Sequence, residues 1–489
     1  MRAGSTTGSC AQSPIDVRPR RLESDGMSLT PRPELAAALR AAERWLDTVD
    51  SRPVSAAESI DAMAAGLAGP LPQRGRSAEQ VVVDLAEAVE PGLLAIGSPR
   101  FYGWVMGGTL PAALAADWLV SAWDQNTGMR DATPGVIAVE EAAARWILEA
   151  LQLPQDAAVG FVTGATMANF TGLAAGRDAV LAAAGWDQAT LGLHGAPRVR
   201  VLAGVERHGS IDLVLRYLGL GTPELVGVDD QGRLDAEALR DALAKGEDPT
   251  IVCAQAGNIH SGAFDPFEAI VDAAHEAGAW VHVDGAFGLW AASVPGLRGL
   301  VEGLARADSW ATDAHKTLNT PYDSGIAMVA DPAAMRRSFG HSADYLLHSD
   351  VPDPHEKVPE MSRRARGVPA WAALASLGTD GLIALVGGLV EAAQSLAVGL
   401  AGLPGVEVLN DVVYTQVTIA VTDDATTAAV LQELLRERLI HPSGSRWHGR
   451  GVIRFSISNH ATGAEAVAQT VDAVARALEA VAAGTRRSG

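Results

Sequence analysis

The chain has 489 residues, with 38 Lys+Arg against 58 Asp+Glu and a formal net charge of −20. Its 48% hydrophobic and 20% charged residues fit a globular protein and exclude a mostly disordered one, and the length allows two or three lobes with a large core. The acidic balance argues against a nucleic-acid partner, and the only cysteines, Cys10 and Cys253, are too few for a disulfide framework or a cysteine zinc site. Residues 1–28 lack the apolar core of a signal peptide, so the expected location is the cytoplasm.

In chain order, residues 1–28 read as a loose tail. Helical spacing follows over 33–50, with Leu35, Leu39, Trp45 and Leu46 on one face, and again over 78–89 after a Pro/Gly-rich connector at 69–75. These helices are too short for a domain of their own, so a second subunit is the expected surface for them. Short apolar strands are predicted at 159–162, 199–205, 250–254, 280–283, 309–312 and 326–329. Helices are predicted between them at 167–184, 211–218, 236–244 and 267–277. That alternation predicts an α/β domain with a mostly parallel sheet, whose ligand site lies beyond the strand ends. The apolar stretch 381–400 carries Glu391, Gln394 and Ser395 and reads as a packed helix rather than a membrane span. Strands at 406–409, 414–421 and 451–457 with helices at 425–438 and 464–483 predict a smaller α+β lobe. The expected division is 1–90 tail and helical arm, 91–395 large domain, 396–489 small domain.

Four strand-end segments carry chemistry. In SWATDAHKTLN (309–319), Lys316 follows a buried strand beside His315. A buried lysine can serve as a neutral Schiff-base nucleophile, whereas a loop lysine snorkels to solvent. In WVHVDGAF (280–287), Asp284 at a buried strand end needs a partner, which a protonated ring nitrogen or a neighbouring turn would provide; Ala286 beyond it is small enough to lie under a flat ring. GFVTGATMAN (160–169) is a strand, small-residue turn and helix start, where free N–H groups bind phosphate; it is neither a Walker A loop nor GxGxxG. In VERHGS (205–210), His208 is placed either to stack on a ring or to cap a helix.

Taken together, the order of phosphate cup, stacking histidine, ring-nitrogen aspartate and lysine resembles the group II pyridoxal-phosphate (PLP)-dependent amino acid decarboxylases, on the fold-type-I scaffold. FYGWVMGGTLP (101–111), WLVSAWDQN (118–126), GNIHSGAFDP (257–266) and VIRFSISN (452–459) extend the resemblance over 99–460. It implies decarboxylation of an L-amino acid, through an external aldimine and quinonoid, in a homodimer with shared sites. Lys316 would form the Schiff base and His315 would contact the phosphate. Gly164, Ala165 and Thr166 would cup that phosphate. Asp284 would hold the ring nitrogen, Ala286 would lie under the ring and His208 above it. Asp313 and Asn258 would complete the cofactor contacts. Phe101, Tyr102, Trp104 and Trp123 would line the substrate entrance, with Arg454 as a carboxylate anchor or a structural ion pair. An aromatic substrate is allowed by that entrance.

Two departures stand out. Thr317 follows the lysine where the family commonly has tryptophan. The stretch 346–362, where the family's mobile loop carries a tyrosine, has none. Tyr345 precedes it and His348 and His355 lie within it, which makes His355 a candidate proton donor. The rival readings are a Cα or Cα–Cβ lyase, an aldehyde-forming oxidative deaminase, an aminotransferase, or a PLP-binding protein without catalysis.

Overall fold

A computed structural model describes residues 32–340 and 351–488. Three helices open it: α1 (Pro33–Thr48), α2 (Ile60–Leu67) and α3 (Ala78–Val89); α4 (Pro111–Trp123) and α5 (Pro134–Ala150) lead into the first domain. There follow β1 (Ala158–Val162), α6 (Ala165–Ala183), α7 (Gln188–Leu191), β2 (Arg200–Gly204), α8 (Gly209–Tyr217) and β3 (Glu224–Val226). The domain continues through α9 (Ala236–Leu243), β4 (Thr250–Gln255), α10 (Phe267–Glu276), β5 (Trp280–Asp284), β6 (Ser309–Asp313), β7 (Gly325–Val329) and α11 (Pro332–Phe339). The long α12 (Gly367–Ala401) leads to β8 (Val406–Val408), β9 (Gln416–Val421), α13 (Asp424–Glu437), β10 (Ser443–Trp447), β11 (Arg450–Ser456) and α14 (Ala464–Ser488).

The large sheet runs β1-β7-β6-β5-β4-β2-β3, with β2 to β6 mutually parallel and β7 antiparallel to both its neighbours. Strands β5, β6 and β7 are buried at every position, as expected for a sheet covered on both faces. One face packs against α6 and α8; the other buries Trp290, Trp310 and Phe267. This is the α/β fold the alternation predicts. Beside the predicted strands the structure adds β3 and β10, short strands with partly exposed residues that carry no apolar run. The small domain is the antiparallel sheet β10-β11-β9-β8, on which α13 and the end of α12 pack, with α14 against both helices.

Helix α12 is long and apolar enough to cross a membrane by length and composition. It is interrupted at Gly378 (φ 59°) and packs against α4, α5 and α14. The expected boundary at 395/396 falls inside this helix, which belongs to both domains. The arm is likewise less separate than its sequence suggests. Val54, fully buried, donates its N–H to the Arg438 carbonyl, and Arg438 in turn holds Ser55, so the chain after α1 is pinned to the small domain.

Candidate active site

The carboxyl ends of β4, β5 and β6 and the start of α6 converge on a cavity of about 250 Å³. Trp104, Gly164, Ala165, Thr166, His208, Asp284, Ala286, Asp313, His315 and Lys316, all expected from sequence, line it. The strand alternation explains the convergence: each strand ends where its last polar side chain leaves the apolar layer.

Lys316 faces a carboxylate in the cavity. Its Nζ lies 2.8 Å from Oδ2 of Asp313, whose Oδ1 accepts the Ala165 N–H at 2.6 Å. One buried carboxylate therefore ties the lysine to the first turn of α6. The His315 ring accepts the Ser324 N–H at Nδ1 (3.0 Å), which leaves the proton on Nε2, 3.5 Å from Asp313. Burial holds the His315 pKa below its ordinary value, so the ring is neutral near pH 7, and it stacks on Tyr322 at 4.1 Å. Asp284 is buried at the end of β5 and takes the Ala286 N–H at 3.3 Å. His208 caps α8, accepting the Ser210 N–H at Nδ1, and its ring remains exposed to the cavity. The cap and the cavity-facing position thus coexist.

These residues fit pyridoxal phosphate. The first intrahelical bond of α6 runs from Ala168 to Gly164, and among the described residues no acceptor takes the N–H groups of Thr166 or Met167. Free N–H groups at a helix start bind phosphate. The cradle is shaped by glycine: a Cβ on Gly325 would lie 2.4 Å from the Gly164 backbone, and one on Gly164 3.3 Å from His315. The remaining donor set, a lysine amine, a buried carboxylate and a flat imidazole, matches an aldehyde, a ring nitrogen and a ring face.

Several expected residues lie elsewhere. Asn258 is buried, but its Oδ1 accepts the N–H groups of His260 and Ser261 and its Nδ2 faces Glu206. It caps its own turn, as asparagine does in loops, while Gly257 and Ile259 beside it reach the cavity. Phe101 stacks on His441, and Tyr102 bonds Thr470 on α14 at 2.7 Å in the small-domain core, where burial pushes its pKa up to about 12. Both turn away because this segment pairs with the small domain, Tyr102 N–H to His441 O and Ser456 N–H to Tyr102 O. Trp123 is exposed at the end of α4 and does not line the cavity. Arg454 is buried on β11 opposite Ser443, whose hydroxyl accepts the N–H of cavity-lining Trp104. Among the described residues no carboxylate pairs with Arg454, and burial lowers its pKa to about 10.

His355 requires a correction. It is buried in a short turn, Pro354–Glu356, rather than on a mobile loop over the site. A capping box between Asp353 and Glu356, the bond from its N–H to Gly128 O and the Arg336–Glu356 ion pair pin that turn, and His355 does not line the cavity. Tyr345 and His348 lie outside the described residues. Thr317, at the position after the lysine, donates to the Phe287 carbonyl, which also accepts from the Tyr414 hydroxyl of the small domain.

Sequence reasoning missed Ser210, Gln255 and Phe287, which also line the cavity. Gln255 is the last residue of β4, and the strand-end rule that selects Asp284 would have selected it had the predicted strand run one residue further.

The model of the pyridoxal-dependent decarboxylase conserved domain matches residues 61–421. An aromatic-L-amino-acid decarboxylase of Bacillus atrophaeus is 26% identical over 68% of this chain and 69% of its own length. An L-2,4-diaminobutyrate decarboxylase of Rhizobium meliloti (strain 1021) is 30% identical over 65% of this chain and 64% of its own length. Among solved structures, Oryza sativa TDC, crystallised with PLP and tryptamine, superposes with a TM-score of 0.85 at 23% identity. That superposition covers 94% of this chain and 99% of that one.

Proposed function

The chain belongs to the pyridoxal-dependent decarboxylase family and is a PLP-dependent amino acid decarboxylase, and from that premise we propose that it converts an aromatic L-amino acid to its amine and carbon dioxide. The observation that carries the reading is the meeting of Lys316, Asp313, Asp284 and His208 in one cavity. Bound PLP supplies the aldehyde that captures the substrate amine and a ring that accepts the electrons of the broken Cα–carboxylate bond. Asp284 would hold a proton on the ring nitrogen, and the N–H groups at the start of α6 would hold the phosphate. Asp313 holds the Lys316 amine in the cavity, where it would face the cofactor's aldehyde. Release of carbon dioxide leaves one proton to be delivered to Cα. Among the cavity-lining side-chain amine and imidazoles, those that carry one are Lys316 Nζ, His315 Nε2 and His208 Nε2, each imidazole accepting a backbone N–H at its Nδ1.

An aromatic side chain is supported by the walls, where Trp104, Val105, Ile259 and Phe287 face the cavity. Arg454 does not line the cavity, so its reading as a carboxylate anchor rests only on its buried position opposite Ser443, which contacts cavity-lining Trp104, with no carboxylate partner among the described residues. We propose further that the enzyme works as a cytoplasmic homodimer, because exposed Leu35 and Leu39 on α1 and Leu85 on α3 leave apolar faces open. The test has two parts. Borohydride reduction of the purified enzyme should fix the pyridoxyl group on Lys316 in peptide maps. Incubation with the twenty amino acids should then yield carbon dioxide and amine in equal amounts from tyrosine, tryptophan or phenylalanine. Preference for glutamate would refute the aromatic reading, and aldehyde plus ammonia in place of amine would refute simple decarboxylation.

A further inference from the structure

Asn319 lies three residues beyond Lys316 and is completely buried. Its backbone is left-handed (φ 54°), a region asparagine tolerates better than most residues. Its side chain joins three separate parts of the chain. Oδ1 accepts the N–H of Gly108 (3.1 Å) on the entrance segment and that of His460 (2.9 Å) in the small domain. Nδ2 donates to the carbonyls of Lys316 (3.1 Å), Thr317 (2.9 Å) and Ser458 (2.9 Å). Its backbone continues the pattern, with its N–H on Lys316 O at 3.1 Å and its carbonyl on the Leu110 N–H at 2.8 Å.

The entrance segment also presses directly on the lysine. A Cβ on Gly107 would stand 2.3 Å from the Lys316 carbonyl oxygen, so that oxygen is packed between the Gly107 backbone and the Asn319 amide. Among the described residues the Lys316 amine has one polar partner, Asp313. When that pair opens to let the amine react, the backbone of the turn is what still holds the lysine in place.

We propose that Asn319 is a positioning residue for the reaction, transmitting the placement of the entrance segment 107–110 and of the small-domain turn 458–460 to the backbone of Lys316. The inference rests on Lys316 being the residue that bears the cofactor. An amide suits the role because its oxygen accepts from the entrance segment and the small-domain turn while its NH2 donates to the lysine turn and that same small-domain turn; a carboxylate has no donor when ionised and a hydroxyl has only one.

Two variants separate the contributions. Asn319→Gly keeps the left-handed backbone and loses every side-chain bond. Asn319→Asp keeps the oxygen that Gly108 and His460 use and loses the donors to Lys316, Thr317 and Ser458. The expected result is a folded protein in each case, with kcat lowered roughly 10- to 100-fold because the reacting amine is misplaced. KM should change much less than kcat. Independently of turnover, the pH titration of the visible absorbance of the lysine-bound cofactor should shift from that of the parent. Folded variants with parental kcat and a parental titration would overturn the proposal. If neither variant folds, hydrogen exchange of the parent enzyme decides. Loading with PLP must then slow exchange at 316–319, 107–110 and 458–460 together, and protection confined to 316–319 would overturn the coupling. Failure of borohydride to label Lys316 in the parent would instead refute the reading beneath it.

Discussion

Asp284 and Asp313 are both buried strand-end carboxylates, yet their partners differ. Asp313 has its two oxygens on Ala165 N–H and Lys316 Nζ, whereas Asp284 has one weak backbone bond and a face on the cavity. A buried charge left with so little compensation is costly unless a ligand completes it. Asp284→Ala is therefore expected to abolish turnover measured as carbon dioxide release, with Asp284→Glu keeping a small part. Near-normal turnover in the alanine variant would assign Asp284 a structural role. His282 shows the opposite case, a strand residue fully satisfied behind the sheet, with Nδ1 on Ser309 Oγ (2.8 Å) and Nε2 on Asn169 Oδ1 (2.9 Å). Burial lowers its pKa to about 3. The unfolded chain, with an ordinary histidine pKa near 6.5, binds more protons than the folded one between these values. The His282 contribution is thus complete above about pH 6.5 and shrinks by roughly 1.4 kcal/mol for each pH unit below it. Denaturant titrations of parent and His282→Gln should differ most at pH 7 and converge toward pH 4; a constant difference would argue against a neutral buried ring.

At the scale of elements, α12 is the covalent link between the domains, and its break is the informative feature. Gly378 has φ 59°, and a Cβ there would meet no atom within 4 Å. Any cost of substitution is therefore conformational rather than steric. Gly378→Ala is expected to lower stability by about 1–3 kcal/mol, the cost of placing a Cβ-bearing residue in the extended positive-φ region (φ 59°, ψ −172°) that is essentially confined to glycine, and to leave kcat unchanged. A thermal melt at parental temperature would mean that the helix straightens without penalty. The turn carrying His355 illustrates how an element can defeat a sequence reading. Polar residues between two helices look like a free loop, but the capping box of Asp353 and Glu356 and the Arg336 ion pair fix it against the body of the domain.

For the whole molecule, the open faces of α1 and α3 lead to a quantitative expectation. Leu35, Leu39 and Leu85 are 60%, 44% and 56% exposed, and burying the rest of each against a second copy would contribute roughly 1 kcal/mol apiece. The triple change Leu35→Glu, Leu39→Glu, Leu85→Glu should shift a dimer to monomer in analytical ultracentrifugation. These positions line no part of the described cavity, so an accompanying loss of activity would mean that the second copy is needed to complete the site. A parent enzyme that sediments as an active monomer would overturn the dimer. Deleting 1–90 is the poorer test, because it removes Val54 from its buried place against Arg438.

The sequence by itself determined the alternation of strands and helices, and with it the large sheet, the smaller lobe and the strand-end positions of Lys316, Asp284, Asp313 and His208. Periodicity and strand ends are local properties, so a linear reading reaches them. The resemblance of the ordered motifs then indicated the family. Partners distant in sequence were decided only by the tertiary structure. Asp313 holds the lysine amine, and Tyr414 from the small domain shares the Phe287 carbonyl with Thr317. Phe101 and Tyr102 turn into small-domain contacts because their segment pairs with residues some 340 positions away, a choice no local pattern encodes. Asn319 was invisible for the same reason. An asparagine three residues past a lysine is unremarkable until Gly108, Ser458 and His460 are brought around it.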